Sequence, residues 1–140
     1  WLSHSAFALM PGAEALMAWA NDKGLIQAIV TGGQRISVER TLHYHGLATY
    51  IDLITSQEDV THNKPAPDSY RLTLERLGLN PQAAIAIEDN ARGLQAACEA
   101  GIACIVVHNS FSKGQDFTGA IACVDNLTQA LAWIKQTYYR

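Results

Sequence analysis

Two neighbouring carboxylates, Glu88 and Asp89, stand directly after an apolar segment of the 140-residue chain and directly before a helical pattern. Burying two carboxylates at the end of a strand costs hydration free energy, and a cation beside them would offset that cost. Either Asp89 or Asn90 could instead cap the following helix, but capping accounts for one acidic residue and not for both. The pair therefore predicts an oxygen-ligand site of the kind that binds Mg²⁺.

A candidate cation and a candidate phosphate cradle precede the acidic pair. Lys64 lies directly before a Pro-x-Pro sequence, which stiffens the loop into an extended path and gives the lysine a defined direction. Further upstream, Thr31 is followed by Gly32 and Gly33. A hydroxyl beside two glycine amides can hold a phosphate oxygen, because the backbone can approach the anion closely. The ordinary alternatives are a solvated lysine and a simple glycine turn.

Apolar segments and helical periods alternate along the chain, and they define the elements that must position these residues. Because the apolar segments lack polar alternation, both of their faces must be covered, which indicates a parallel sheet with helices on each side. Right-handed crossovers then give a doubly wound α/β fold, in which ligands bind beyond the carboxyl ends of the strands. The three chemical features fall at such ends. The predicted strands span 25–31, 52–55, 84–87, 103–107 and 120–124, and the predicted helices span 11–24, 36–45, 68–77, 91–100 and a segment after Asn126.

Composition narrows the range of partners. The net charge is −3, the pI is about 5.9 and charged residues make up 16% of the chain. No basic field is therefore available for nucleic acid or an anionic membrane, and the apolar segments are too short to cross a bilayer. Cys98, Cys104 and Cys123 show no C-x-x-C spacing and lie in apolar stretches, which predicts buried, reduced cysteines and a cytoplasmic protein.

With these residues in place, the chain resembles the haloacid dehalogenase-like (HAD) hydrolase superfamily. The resemblance is closest to the branch of phosphoglycolate-phosphatase-like and β-phosphoglucomutase-like enzymes. Thr31 in Val-Thr-Gly-Gly matches the second motif of the family, Lys64 in Asn-Lys-Pro-Ala-Pro-Asp matches the third, and Glu88 with Asp89 matches the fourth. The segment 88–97, followed by Ala100 and Gly101, is similar to the strand-to-helix segment of that branch, except that Asn90 stands where serine is commoner.

The resemblance implies a role for each matching residue. Thr31 and the Gly32 amide would bind the phosphoryl group, and Lys64 would balance the charge around it. Glu88 and Asp89 would hold Mg²⁺. The residues expected to border the site are Gly33, Asn90 and Asn109.

The implied activity is that of a Mg²⁺-dependent phosphatase, which hydrolyses small phosphate esters through an aspartyl-phosphate. Its partner would be a small phosphorylated metabolite. Two alternatives stay open, a phosphomutase of the same branch and a non-catalytic binding module with the same fold. A receiver-type signalling domain is disfavoured, because that fold carries its acidic pair at the first strand and its lysine at the last.

One departure from the family pattern is large. The first motif of the family is an Asp-x-Asp pair on an N-terminal strand, whereas residues 1–10 contain no acidic residue. The cap domain between the first two motifs has no counterpart either. The resemblance therefore implies that residues 1–140 form a partial core domain beginning where the cap returns to the core, and that this piece alone is inactive. A missing N-terminal segment of the same protein would complete the sheet, between the strands that end at Thr31 and Glu88.

Overall fold

Five short strands alternate with helices in the computed structural model, which describes residues 11–139. Each strand runs parallel to the strand beside it, with Ala28 opposite Leu53 in one pair and Ile85 opposite Ala103 in another. The strands are β1 (Ala28–Val30), β2 (Leu53–Thr55), β3 (Ile85–Glu88), β4 (Ala103–Val107) and β5 (Ala122–Val124). Among the described residues they form two hydrogen-bonded groups, in the orders β1-β2 and β3-β4-β5.

Helices cover both faces of these strands, as the absence of polar alternation predicts. Alternate strand residues enter two separate apolar cores, because successive side chains in a strand point to opposite faces. The helices are α1 (Ala13–Asp22), α2 (Arg35–Tyr44), α3 (Asp68–Leu77), α4 (Ala91–Glu99) and α5 (Leu127–Tyr138), and short 3₁₀ turns span Ala48–Tyr50, Gln57–Asp59 and Pro81–Ala83. Ile29, Ile87 and Ile105 pack with α1, α2 and α5, and Val30, Ala86 and Cys104 pack with α3 and α4.

The doubly wound α/β prediction and most of the element positions are confirmed. Asn126 caps α5 by accepting a hydrogen bond from the Gln129 amide at 2.8 Å. Gly78 ends α3 in the left-handed conformation, with φ of 66°, which glycine adopts without strain. The strand predicted over 25–31 is shorter, since Leu25 and Ile26 are partly exposed before the sheet begins.

Two smaller expectations were wrong. Cys98 and Cys123 are exposed, and only Cys104 is buried among the three free cysteines. Asp68 is the first residue of α3 and does not cap it, because Pro67 occupies the cap position. The expectations that concern residues 1–10 lie outside the described residues. Within 11–139, no helix combines the length and the apolar composition needed to cross a membrane.

Candidate active site

Lys64 joins the carboxyl ends of β1 and β3. Its ammonium group donates one hydrogen bond to the Val30 carbonyl oxygen at 2.9 Å and another to Glu88 Oε2 at 2.6 Å. Val30 ends β1 directly before Thr31, and Glu88 ends β3 directly before Asp89. The structure therefore brings the cation, the hydroxyl loop and the acidic pair to one edge of the sheet.

The Glu88 carboxylate is almost completely buried, and it has two donors. Its side chain is 2% exposed and that of Lys64 is 12% exposed. The hydroxyl of Tyr70, which lies fully buried on α3, donates to the same Oε2 atom. The Lys64 nitrogen also lies 5.2 Å from the centre of the Tyr70 ring. A buried carboxylate needs such partners, because unpaired burial of the charge costs several kcal/mol. Glu88, Lys64 and Tyr70 form what we call the buried cluster.

Gly93 makes room for this carboxylate. A Cβ atom at position 93 would overlap Glu88 Oε1 and Cδ and would lie 2.9 Å from Cγ. The first turn of α4 can therefore pass over Glu88 only where a side chain is absent. Behind the carboxylate, burial raises the pKa of the Cys104 thiol, and the Glu88 charge raises it further. Cys104 therefore stays a neutral thiol at physiological pH.

Asn90 caps α4, so neither carboxylate is needed for capping. Asn90 Oδ1 accepts from the Gly93 amide at 2.9 Å, and Asn90 Nδ2 donates to Asp89 Oδ1 at 3.0 Å. In the part of the chain that the structure describes, no three His, Cys, Asp or Glu side chains are grouped to hold a metal. Mg²⁺ is often bound through only one or two carboxylates and several waters. The half-buried Asp89 fits such a ligand, whereas Oε2 of Glu88 is already engaged by Lys64 and Tyr70.

The loop after β1 presents the hydroxyl and amides expected to bind phosphate. The Thr31 amide donates to the Thr55 carbonyl oxygen at 2.9 Å, which extends the pairing of β1 with β2 by one residue. The Gly33 amide donates to Thr31 Oγ1 at 3.0 Å. Because this bond uses the oxygen as acceptor, the Thr31 hydroxyl proton can still donate to an anion. Gly32 is exposed, and a Cβ there would meet nothing within 4 Å.

Comparison with known proteins gives the family. The family described as haloacid dehalogenase-like hydrolase matches residues 2–107. The chain belongs to this family. It is 34% identical over 131 residues to protein CbbY of Cereibacter sphaeroides, covering 91% of this chain and 57% of that protein. Fructose-1-phosphate phosphatase YqaB of Escherichia coli K12 is 32% identical over 93 residues, covering 66% of this chain and 48% of that protein.

A solved relative has the same fold. The crystal structure of a mutant of CbbY from Rhodobacter sphaeroides, in complex with xylulose-(1,5)-bisphosphate, superposes with a TM-score of 0.81 at 33% identity. The match covers 86% of this chain and 55% of that chain. This HAD-family chain therefore spans about half the length of the curated relatives it matches. Its family neighbours place it in the branch of phosphatases and phosphomutases.

A second charged group connects β2 to the loop after β1 in this HAD-family chain. We call this loop the phosphate loop, because Thr31 and Gly32 are predicted to bind phosphate there. The Arg35 guanidinium donates to the Ile54 carbonyl oxygen at 2.8 Å and to Asp59 Oδ2 at 2.7 Å, and the Arg35 amide donates to the exposed Glu58 carboxylate. Arg76 lies 3.5 Å from the other Asp59 oxygen. We call Arg35, Glu58, Asp59 and Arg76 the loop network. Burial by itself would raise the pKa of Asp59, but hydrogen bonds from the Ser56 amide and hydroxyl and the Arg35 charge together lower it.

The loop that carries Lys64 turns and does not follow the predicted extended path. The Ala66 amide donates to the Asn63 carbonyl oxygen at 3.0 Å, and the Lys64–Pro65 peptide bond is cis. The exposed Arg92 on α4 donates to the Lys64 carbonyl oxygen at 2.7 Å. The backbone of Lys64 is thus attached to the same helix that holds Gly93.

Asn109 shapes a turn after β4. Its side-chain oxygen accepts from the amides of Phe111 and Ser112, and its own amide donates to the Ser112 hydroxyl. In the same loop, Gln115 accepts from the Ala91 amide at 2.8 Å, which attaches the loop to the start of α4. A direct contact of Asn109 with substrate, like those of Gly33 and Asn90, stays a prediction.

Sequence reasoning missed two residues of this site, Tyr70 and Gly93. Tyr70 resembles any other apolar position of the α3 pattern, and its hydroxyl meets a carboxylate 18 residues away. Gly93 stands within a helix, where glycine is unfavourable by about 1 kcal/mol relative to alanine. That helical glycine was a signal of close approach, although nothing in the sequence names the atom that approaches.

Proposed function

We propose that the chain supplies the phosphate-binding side of a Mg²⁺-dependent phosphatase that acts on small phosphorylated metabolites, sugar phosphates in particular. The observation that carries this proposal is the placement of Lys64, which holds its ammonium group between the phosphate loop and the acidic pair. The relatives support the substrate class, since one is named a fructose-1-phosphate phosphatase and a solved CbbY holds a sugar bisphosphate.

Each residue has a distinct task in this proposal. The Thr31 hydroxyl and the Gly32 amide donate hydrogen bonds to the oxygens of the transferring phosphoryl group. Lys64 offsets the charge that accumulates there, and its bonds to Val30 and Glu88 keep it in place. Asp89 would be the direct ligand of Mg²⁺ and Glu88 would support the site from behind. When bound, the ion would neutralise phosphate charge and polarise the phosphoryl oxygens.

The proposal also needs a nucleophile. By resemblance to the family, an aspartate of an Asp-x-Asp motif would attack phosphorus, displace the sugar alcohol and form an aspartyl-phosphate that water then hydrolyses. Residues 1–10 hold no acid, so we propose that an N-terminal segment of the same protein beyond these 140 residues supplies this motif.

The test is phosphate release by the full-length protein. Fructose 1-phosphate and xylulose 1,5-bisphosphate are the substrates to use, with and without EDTA. Asp89→Ala should lower kcat/KM on the order of 100-fold, whereas Asp22→Ala, which changes an exposed acid at the end of α1, should leave it unchanged. Activity that survives both EDTA and Asp89→Ala would overturn the mechanism.

The same assay separates the alternatives. An isomerised sugar phosphate without release of inorganic phosphate would identify a phosphomutase. Binding of inorganic phosphate without turnover of any sugar phosphate would identify a non-catalytic module.

A further inference from the structure

Tyr70 and Lys64 share one oxygen atom of Glu88. The Tyr70 hydroxyl and the Lys64 ammonium both donate to Oε2, and the lysine bond is 2.6 Å long. Tyr70 is 1% exposed and lies on α3, while Lys64 lies on the loop before that helix. The tyrosine ring also faces the ammonium at 5.2 Å. One side chain thus contacts both the lysine and the carboxylate that holds it.

The second donor limits how Glu88 can be oriented. A glutamate side chain has several rotatable bonds, and its other oxygen, Oε1, occupies the place that a Cβ atom at position 93 would take, so no side chain of residue 93 restrains it. Without the Tyr70 hydroxyl, the carboxylate could rotate about these bonds and take the Lys64 ammonium with it. The Tyr70 hydroxyl comes from a fixed ring on a packed helix, so it fixes Oε2 in direction as well as in distance.

We infer that Tyr70 is a positioning residue, whose hydroxyl holds the Glu88 carboxylate so that Lys64 is aimed at the phosphate site. It acts through Glu88 and does not itself touch the substrate. The catalytic part of this inference rests on the proposed function. The structural part, the control of Lys64 by Tyr70, does not.

Tyr70→Phe in the full-length protein removes the hydroxyl and keeps the ring. Loss of one hydrogen bond to a charged group corresponds to roughly a 10-fold change, and we expect it in kcat for fructose 1-phosphate with KM nearly unchanged. Tyr50→Phe is the matched control, because Tyr50 is a half-buried tyrosine that packs against the other apolar core. Its kcat and KM should stay at the wild-type values.

A second measurement needs no activity. Reductive methylation with ¹³C-formaldehyde, followed by NMR, reports how readily each lysine amine reacts. Lys64 should react several-fold faster in Tyr70→Phe than in wild type or in Tyr50→Phe, while the exposed Lys113 should react equally in all three.

The outcomes distinguish the inference from the proposed function. Faster methylation of Lys64 in a full-length protein without phosphatase activity would support the control of Lys64 by Tyr70 and overturn the proposed function. Unchanged methylation and unchanged kcat in a folded Tyr70→Phe protein would overturn the inference, as would a loss of stability alone. If Tyr70→Phe does not fold, the inference is tested in the wild-type protein by the exchange rate of the Tyr70 hydroxyl proton. A slowly exchanging Tyr70 hydroxyl proton in its NMR spectrum supports the bond to Glu88, and rapid exchange contradicts it.

Discussion

Two charged groups lie at the same edge of the sheet, and their ion pairs are almost equally short. In the buried cluster, Lys64 and Glu88 are 2.6 Å apart with side chains 12% and 2% exposed. In the loop network, Arg35 and Asp59 are 2.7 Å apart with side chains 36% and 16% exposed. The distances are alike, so the difference between the two groups is access to water.

That difference determines how much stability each group loses when one of its charged partners is removed. Water can solvate an exposed charge after its partner is removed, and surface ion pairs accordingly contribute about 0–1 kcal/mol. A buried charge that loses its partner finds no such substitute, and breaking a buried pair costs about 3–5 kcal/mol. Removing one charge from the loop network should therefore change the free energy of unfolding little. Removing one from the buried cluster, which holds the Lys64 ammonium in place, should lower it strongly.

The largest effect is expected where the buried cluster loses its cation. Lys64→Met keeps an unbranched chain of similar length but leaves the Glu88 carboxylate with Tyr70 as the remaining donor of the cluster. We expect the free energy of unfolding to fall by about 3–5 kcal/mol, measured by urea denaturation at neutral pH.

The double variant Lys64→Met with Glu88→Gln sharpens this prediction. Removing both charges takes away the unpaired carboxylate, so part of the lost stability should return, and the coupling between the two sites gives the energy of the pair. A Lys64→Met protein as stable as wild type would show that the cluster is solvated like the loop network.

An intermediate loss of stability is expected from Gly93→Ala. The added methyl group overlaps the Glu88 carboxylate, which cannot simply move aside because Lys64 and Tyr70 hold it. Overpacking of this kind costs about 1–3 kcal/mol, measured as a fall in the urea midpoint.

Gly114→Ala is the matched control for this change. A Cβ atom at Gly114 would meet nothing within 4 Å, so its urea midpoint should stay close to that of wild type. Equal midpoints for the two alanine variants would mean that Glu88 is free to move.

The sequence predicted the secondary structure better than it predicted the contacts of the site. Strands and helices were predicted well, because buried periodicity is a local property and its end signals, such as Gly78 and Asn126, act on nearby backbone. The strand starting at Ala28 was predicted too long, since apolar Leu25 and Ile26 satisfy the same pattern without being buried.

The site was predicted only in part, for a physical reason. The ends of parallel strands converge, so Thr31, Lys64 and the acidic pair could be placed together from their order along the chain. Their partners could not, because Tyr70 and Gly93 contribute through contacts that depend on the packing of α3 and α4. The roles of Glu88 and Asp89 as metal ligands stay predictions, and the structure adds contacts that the sequence did not predict, from Glu88 to Lys64 and from Asp89 to Asn90.

The smallest effect is expected in the loop network, from Asp59→Asn. The native hydrogen bonds and the Arg35 charge lower the pKa of Asp59 in the folded protein. Its ionised form therefore stabilises the fold above the unfolded-state pKa, and this contribution is lost as pH falls through the folded-state pKa. Asp59→Asn should reduce stability by about 1 kcal/mol at pH 7. The gap to wild type should begin to narrow near the ordinary aspartate pKa of about 3.9 and should close only below the lowered folded-state pKa. Urea denaturation across a pH series from neutral to acidic measures this.

Asp116→Asn is the control for the loop network. The pKa of Asp116 is lowered as well, by hydrogen bonds from the Thr118 hydroxyl and amide, but Asp116 is exposed and the effect of its loss should be smaller. A gap for Asp59→Asn that is independent of pH would show that the contribution comes from the shape of the side chain and not from its charge. A gap as large as that of Lys64→Met would remove the distinction between the two groups, because access to water would then no longer determine the cost of losing a partner.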